Sequence, residues 1–172
     1  MSMIFLIGMP GAGKTYWGQR LAAAHHLACI DLDSYVEEKR AKEIGELFEE
    51  IGEVAFREIE RGALIEIVNN TFRPTIVACG GGTPCFLDNL IVMKTAGTTV
   101  YLKNDMELLL QYLENEVQKR PLLAKQPDLQ KCLENLLALR KSYYEQADHI
   151  LEAKNISIAN FDKIISSCIG RH

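Results

Sequence analysis

The stretch Gly8-Met9-Pro10-Gly11-Ala12-Gly13-Lys14-Thr15 has the spacing G-x-x-x-x-G-K-[ST], a pattern that carries meaning only between a strand and a helix. Its glycines let the backbone wrap an anion with successive N–H groups turned inward, and the start of a following helix adds a favourable field. Lys14 can then reach the outer phosphates, and the Thr15 hydroxyl can ligate magnesium. The chemistry implied is binding of a nucleoside triphosphate, with Gly11, Ala12, Gly13, Lys14 and Thr15 as the contact set. The flanks agree: Met3–Ile7 is an apolar run of strand length, and Trp17 and Leu21 are spaced for one face of a helix.

Five other groups could do chemistry. Asp31-Leu32-Asp33 closes the short apolar run Leu27–Ile30. On an extended segment, alternation puts both carboxylates on one side, at the strand end where open parallel sheets bind ligands. One could hold a magnesium water and the other face a second substrate; the alternative is a helix cap at Asp33 or Ser34. Gly80-Gly81-Gly82 follows the apolar run Pro74–Cys79. Three glycines in succession cost backbone entropy unless something approaches the main chain closely, and a ligand is the expected visitor. Arg57 stands at the edge of an apolar stripe made by Phe56, Ile59, Ala63, Leu64, Ile67 and Val68, with Glu60 placed to orient it. Spacing alone favours an exposed ion pair of small consequence there. Arg140 shares a helical line with Leu129, Leu133, Leu136, Tyr143 and Ala147. On that apolar line it must snorkel or meet a negative partner, either a protein carboxylate or an anionic ligand. Finally, Lys119, Arg120 and Lys125 cluster around Pro121 and Pro127. This segment reads as an ordinary helix connection or as a closing segment that delivers a cation.

At 172 residues, with 48% hydrophobic and 24% charged residues, the chain fits one ordinary globular domain. A net charge of −4 leaves no basic excess for a general nucleic-acid surface. The opening apolar run is too short to span a membrane and lacks the marks of a signal peptide. Five cysteines without a C-x-x-C pair support neither a disulfide framework nor a zinc site. The expectation is a cytoplasmic protein with reduced thiols and no membrane or nucleic-acid partner.

The elements that must position these residues alternate. Strands are expected at 3–7, 27–30, 74–79, 97–102 and 148–151. Helices are expected after the phosphate-binding loop, ending in solvated His25 and His26, and over 34–70 with breaks near Gly45 and Gly52. Further helices should start at Asp105, carrying Leu108, Leu109, Tyr112 and Leu113, and after Pro127, with a closing helix over Ile158–Ile169. This is the pattern of a three-layer α/β/α sandwich around a parallel sheet.

Taken together, Gly8–Thr15, Asp31-Leu32-Asp33, Ile44–Phe48 before Gly52-Glu53, Phe56-Arg57, Gly80–Gly82, Arg120-Pro121-Leu122-Leu123, and Arg140 with Tyr144 resemble the shikimate kinase family. The resemblance implies a P-loop NTPase fold of nucleoside-monophosphate-kinase type with five strands. It implies an acceptor-binding insert over about 33–61 and a lid over about 112–126. It also implies transfer of phosphate from ATP to the 3-hydroxyl of shikimate, a step toward chorismate and the aromatic amino acids. By that resemblance Asp33 bonds the accepting hydroxyl and takes its proton, and Arg57 and Arg140 grip the carboxylate. The Gly80–Gly82 backbone lies against the ring. Thr15 holds Mg2+ directly and Asp31 through water, while Lys14 and, with the lid, Arg120 meet the phosphates. A monomer is expected. The chain departs from the family where many relatives carry an adenine-stacking arginine: here stands Leu113, with Glu116 where a basic residue is common. Tyr112 or Lys119 are the candidates to compensate. Ser142-Tyr143-Tyr144 replaces a frequent Pro-Leu-Tyr. The rivals are another small-molecule kinase, such as a sugar-acid or nucleotide kinase, a regulatory nucleotide switch, and an ATP-binding scaffold without activity.

Overall fold

The computed structural model describes residues 3–113 and 128–169, and of Lys154 and Ile169 the backbone only. The strands are β1 (Met3–Ile7), β2 (Ala28–Asp31), β3 (Thr75–Ala78), β4 (Gly97–Lys103) and β5 (His149–Glu152). They form one parallel sheet in the order β2-β3-β1-β4-β5. Phe5 of β1 registers with Val77 on one side and Thr99 on the other. Every residue of β1 and β3 is buried, which is why both read as unbroken apolar runs rather than as alternation.

The helices are α1 (Lys14–His25), α2 (Leu32–Arg40), α3 (Ile44–Asn70), α4 (Asn89–Ala96), α5 (Met106–Leu113), α6 (Leu129–Tyr144) and α7 (Ile158–Ile169). A short 3-10 turn covers Thr83–Cys85. None of the described helices is long and apolar enough to cross a membrane.

Several boundaries differ from the sequence reading. The segment over 34–70 breaks at Ala41, whose φ of 52° ends α2, and not at Gly45, which lies inside α3. Glu43 restarts the helix with a reciprocal capping box to Glu46. The second break does fall at Gly52, with φ 77° and ψ 171°, a backbone that only glycine adopts without strain. His25 is not simply solvated: its Nε2 stands 2.8 Å from Asp162 Oδ1 on α7. On α6 the buried residues are Leu133, Arg140 and Tyr144, while Tyr143 is 38% exposed. Steps of three and four both keep to one helix face, so tertiary contact decides between the two tyrosines. Tyr144 has the ring of Tyr101 to stack on.

Candidate active site

Beyond the C-terminal end of β1 the chain enters the phosphate-binding loop. Gly11 and Gly13 take φ of 80° and 78°. Gly13 caps α1 without a side-chain hydrogen bond, leaving the first N–H groups of that helix to whatever the loop holds. Ala12 N–H donates to the Met9 carbonyl at 3.1 Å. Lys14 Nζ donates to the carbonyls of Gly8 and Met9 at 2.9 and 2.8 Å, which fixes the ammonium against its own loop.

This loop forms the floor of a cavity of about 690 Å³ lined by Gly11–Thr15, Asp31, Asp33, Gly80 and Gly81 on one side and by Asn104, Leu108 and Tyr112 on the other. The strand order explains the division. Groups that follow β2 and β3 stand on one flank of β1, and those that follow β4 and β5 on the other. Tyr16, Trp17, Cys79, Ala153 and Ile156 complete the lining. Sequence reading placed Leu108 on a helix without a role and did not single out Asn104 or Ile156, because nothing in their types marks them for the cavity until the sheet is assembled.

The D-x-D pair reaches the cavity by a route other than strand alternation. The chain turns helical at Leu32, so Asp31 ends β2 and caps α2 by accepting from Ser34 N–H at 3.1 Å, while Asp33 sits in the first helical turn. The Thr15 hydroxyl donates to Asp31 Oδ2 at 2.5 Å. Two hard oxygen donors side by side at the phosphate loop suit magnesium, which takes one or two protein ligands plus phosphates and water. Among the described residues no group of three His, Cys, Asp or Glu stands ready to hold a metal unaided.

The triple glycine departs from expectation in an informative way. A Cβ on Gly80 would fall 2.9 Å from Asp33 Oδ1 and from Glu60 Oε1, one on Gly81 2.8 Å from Pro10 Cδ, and one on Gly82 2.4 Å from Arg57 Nη2. The close visitors are therefore the protein's own side chains. Gly80 and Gly81 still face the cavity; Gly82 faces Arg57.

Arg57 is not the exposed ion pair its spacing suggested. It is 6% exposed and Glu60 1%, because the segment from Gly82 to Phe86 folds over that face of α3. Its Nη1 donates to Glu60 Oε2 and its Nη2 to Glu53 Oε1, both at 3.0 Å. Thr83 Oγ1 donates to the other Glu60 oxygen at 2.6 Å. The guanidinium carbon lies 4.3 Å from the Phe86 ring centre and close to Phe48 and Phe56 as well. Arg57 Nε is buried and has no hydrogen-bond partner among the described residues. Glu53, at helical spacing i−4, could have been found from sequence as the second anchor.

Arg140 is 5% exposed on α6. Ion pairs among the described residues involve Arg57 twice and Arg140 not at all. Both arginines act on the Cys85 thiol: burial pushes it up to about 11, against the pull of Arg140 and then Arg57. Neither arginine lines the phosphate cavity itself, but Gly80 lies where a Cβ would meet both Asp33 and Glu60, so the cavity and the Arg57 cluster adjoin there. Arg120 and most of the expected lid lie outside the described residues. Tyr112 and Leu113 close α5, and Leu113 is fully buried, facing Gly11.

A family model described as shikimate kinase matches residues 10–169. A shikimate kinase from Bacteroides fragilis is 43% identical over 152 residues, covering 87% of this chain and 84% of that protein. The crystal structure of shikimate kinase from Bacteroides thetaiotaomicron superposes with a TM-score of 0.86 at 35% identity, covering 98% of each chain. That of the Acinetobacter baumannii enzyme in complex with shikimate gives 0.88 at 31% identity, covering 99% of this chain and 94% of the other. Likeness of this extent, in sequence and in fold alike, leads to one conclusion: the chain belongs to the shikimate kinase family.

Proposed function

We propose that this protein transfers the terminal phosphoryl group of ATP to the 3-hydroxyl of shikimate, giving shikimate 3-phosphate and ADP. The observation that carries the reading is the link from the phosphate cavity to the buried Arg57, made through Asp33, Gly80 and Glu60, with a second buried arginine, Arg140, acting on the same Cys85 thiol as Arg57. A small acceptor spanning that distance would present a hydroxyl at one end and a carboxylate at the other. Bidentate guanidinium donors suit a carboxylate, and a buried arginine with no carboxylate partner among the described residues favours an anion beside it.

In this reading the triphosphate lies on the loop Gly11–Thr15, with Lys14 beside its outer phosphates. Its base extends toward Asn104, Leu108 and Tyr112, whose half-exposed ring offers a stacking face. Thr15 and, through water, Asp31 would hold magnesium, which would supply positive charge to the phosphate oxygens. Asp33 accepts the hydrogen bond of the 3-hydroxyl and receives its proton as the oxygen–phosphorus bond forms and the bond to ADP breaks. Arg57 and Arg140 hold the carboxylate, and Gly80–Gly82 flank the ring. Catalysis then rests on positioning and charge stabilisation. An acceptor insert over about 33–61 would take in most of α2 and the first two-thirds of α3. For Arg120 the support is the family pattern alone.

The test is ADP release by the purified protein with Mg-ATP, offering shikimate, gluconate, AMP and water in separate reactions. Shikimate alone should stimulate release; stimulation by another acceptor overturns the acceptor assignment. Asp33→Asn should lower turnover by about 10² to 10⁴ with little change in the KM for ATP. Near-normal turnover in that variant removes Asp33 from the proton-transfer step.

A further inference from the structure

The hydroxyl of Tyr144 takes no part in the transfer outlined above, yet it joins the pieces that perform it. Tyr144 ends α6 and is fully buried, its ring stacked on Tyr101 with centroids 5.0 Å apart. The hydroxyl donates to the Gly81 carbonyl at 2.5 Å and stands 3.8 Å from Met9 Sδ. Burial pushes the phenol up, well beyond its ordinary value, so the proton stays on the oxygen and the donor does not titrate away.

The three glycine carbonyls are held in different ways. Gly80 O accepts from Thr83 N–H at 3.2 Å and Gly82 O from Cys85 N–H at 2.9 Å, both within the local turn. Among the described residues, Gly81 O is held from a different element, by Tyr144. Glycine peptides rotate more freely than any others, so the middle plane of the segment takes its orientation from that bond. Arg140 lies one helical turn before Tyr144 on the same element. Met9, on the far side of the hydroxyl, offers the carbonyl that holds Lys14 Nζ.

We propose that Tyr144 is a positioning residue for phosphoryl transfer. Its hydroxyl fixes the Gly81 peptide, and with it the register between the acceptor wall, Arg140 and the phosphate loop. The inference rests on the shikimate kinase reading above. In-line transfer is steeply sensitive to placement, and a misplacement of about 1 Å can cost about 10²-fold in rate.

Tyr144→Phe keeps the ring and its stack and removes one oxygen. The expected result is a fall in kcat of about tenfold or more. The dissociation constant for Mg-ADP should stay within about twofold of the unaltered protein, as for an interaction that acts on the chemical step. Tyr101→Leu serves as the control, because it loosens the same stack and leaves the hydroxyl in place. It should lower Tm while sparing kcat measured well below the transition. Unchanged kcat in Tyr144→Phe overturns the proposal. So does an equal loss of kcat in Tyr101→Leu, which would trace the effect to packing. Failure of the underlying reading looks different: the unaltered protein would then show no stimulation by shikimate at all.

Discussion

Each glycine of the 80–82 run answers to a different neighbour: Asp33 with Glu60, then Pro10, then Arg57. None of the three needs glycine for left-handed backbone, since none has a positive φ. What matters is the missing Cβ. At Gly82 the clash would be with a guanidinium that cannot easily retreat, pinned by Glu53, Glu60 and the Phe86 ring. Gly82→Ala is therefore expected to displace Arg57 and raise the KM for shikimate about tenfold or more, the equivalent of one charge-assisted hydrogen bond. The KM for Mg-ATP should stay within about twofold, as for a loss confined to the other substrate. Steady-state kinetics with each substrate varied in turn checks this. An unchanged shikimate KM would separate Arg57 from the acceptor. The buried pair itself is weak support for stability, because desolvation offsets much of its attraction; its value lies in holding a charge still.

Among the elements, α5 shows how one helix decides the meaning of a substitution. Its Leu109 and Leu113 are buried, and Leu113 Cγ lies 2.7 Å from where a Gly11 Cβ would stand. Restoring the arginine common in relatives should therefore not restore adenine stacking. Leu113→Arg would drive a charge into the contact between α5 and the phosphate loop. We expect a loss of about 3 kcal/mol or more in urea unfolding, with weaker Mg-ADP binding. Tighter nucleotide binding by this variant would mean that α5 turns to present position 113 to the base.

The start of β5 depends on Asp148. It accepts from Thr99 N–H at 2.9 Å and Thr99 Oγ1 at 2.8 Å, and pairs with Lys94 at 2.9 Å. Partial burial raises its pKa, but the Thr99 and Lys94 hydrogen bonds outweigh burial and hold the carboxyl below its ordinary value. A lowered native pKa means that the contribution is complete above the ordinary carboxylate range. It is lost as the pH falls through the native value. A third of the side chain meets water, so the loss should be about 1–2 kcal/mol. The difference in Tm between the unaltered protein and Asp148→Asn should accordingly shrink on acidification toward pH values of about 3. A constant difference would remove this carboxylate from the acid response.

At the scale of the molecule, the sheet order brings the groups that follow β2 and β3 and those that follow β4 and β5 to one cavity from opposite flanks of β1, with the phosphate loop between them. Each ligand then binds a native cavity that the unfolded chain lacks. Mg-ADP at about 100 times its Kd should add about 2.7 kcal/mol to stability. For a chain of this size that is a rise in Tm of about 5–10 °C. Shikimate should add its own increment, and chelating magnesium should remove most of the nucleotide's. A shift by shikimate with no shift by Mg-ADP would contradict the shared cavity.

The amino-acid sequence by itself determined the phosphate loop, the parallel α/β sheet and the positions of its five strands. These depend on local spacing: Gly8 to Thr15 are contiguous, and a buried strand such as Met3–Ile7 shows its burial in every residue. It also marked Asp31, Asp33, Arg57, Gly80–Gly82 and Arg140 as worth attention. What it could not determine was which of two equivalent local outcomes held. Arg57 with Glu60 reads as a surface pair until Gly82, Thr83 and Phe86 cover it. Tyr144 in place of Tyr143 becomes the buried tyrosine because Tyr101 and Gly81 stand on its side. Leu113 becomes core because Gly11 faces it. In each case the deciding atoms come from another element, far along the chain. Burial is a property of the assembled neighbours, and only the tertiary structure brings them together.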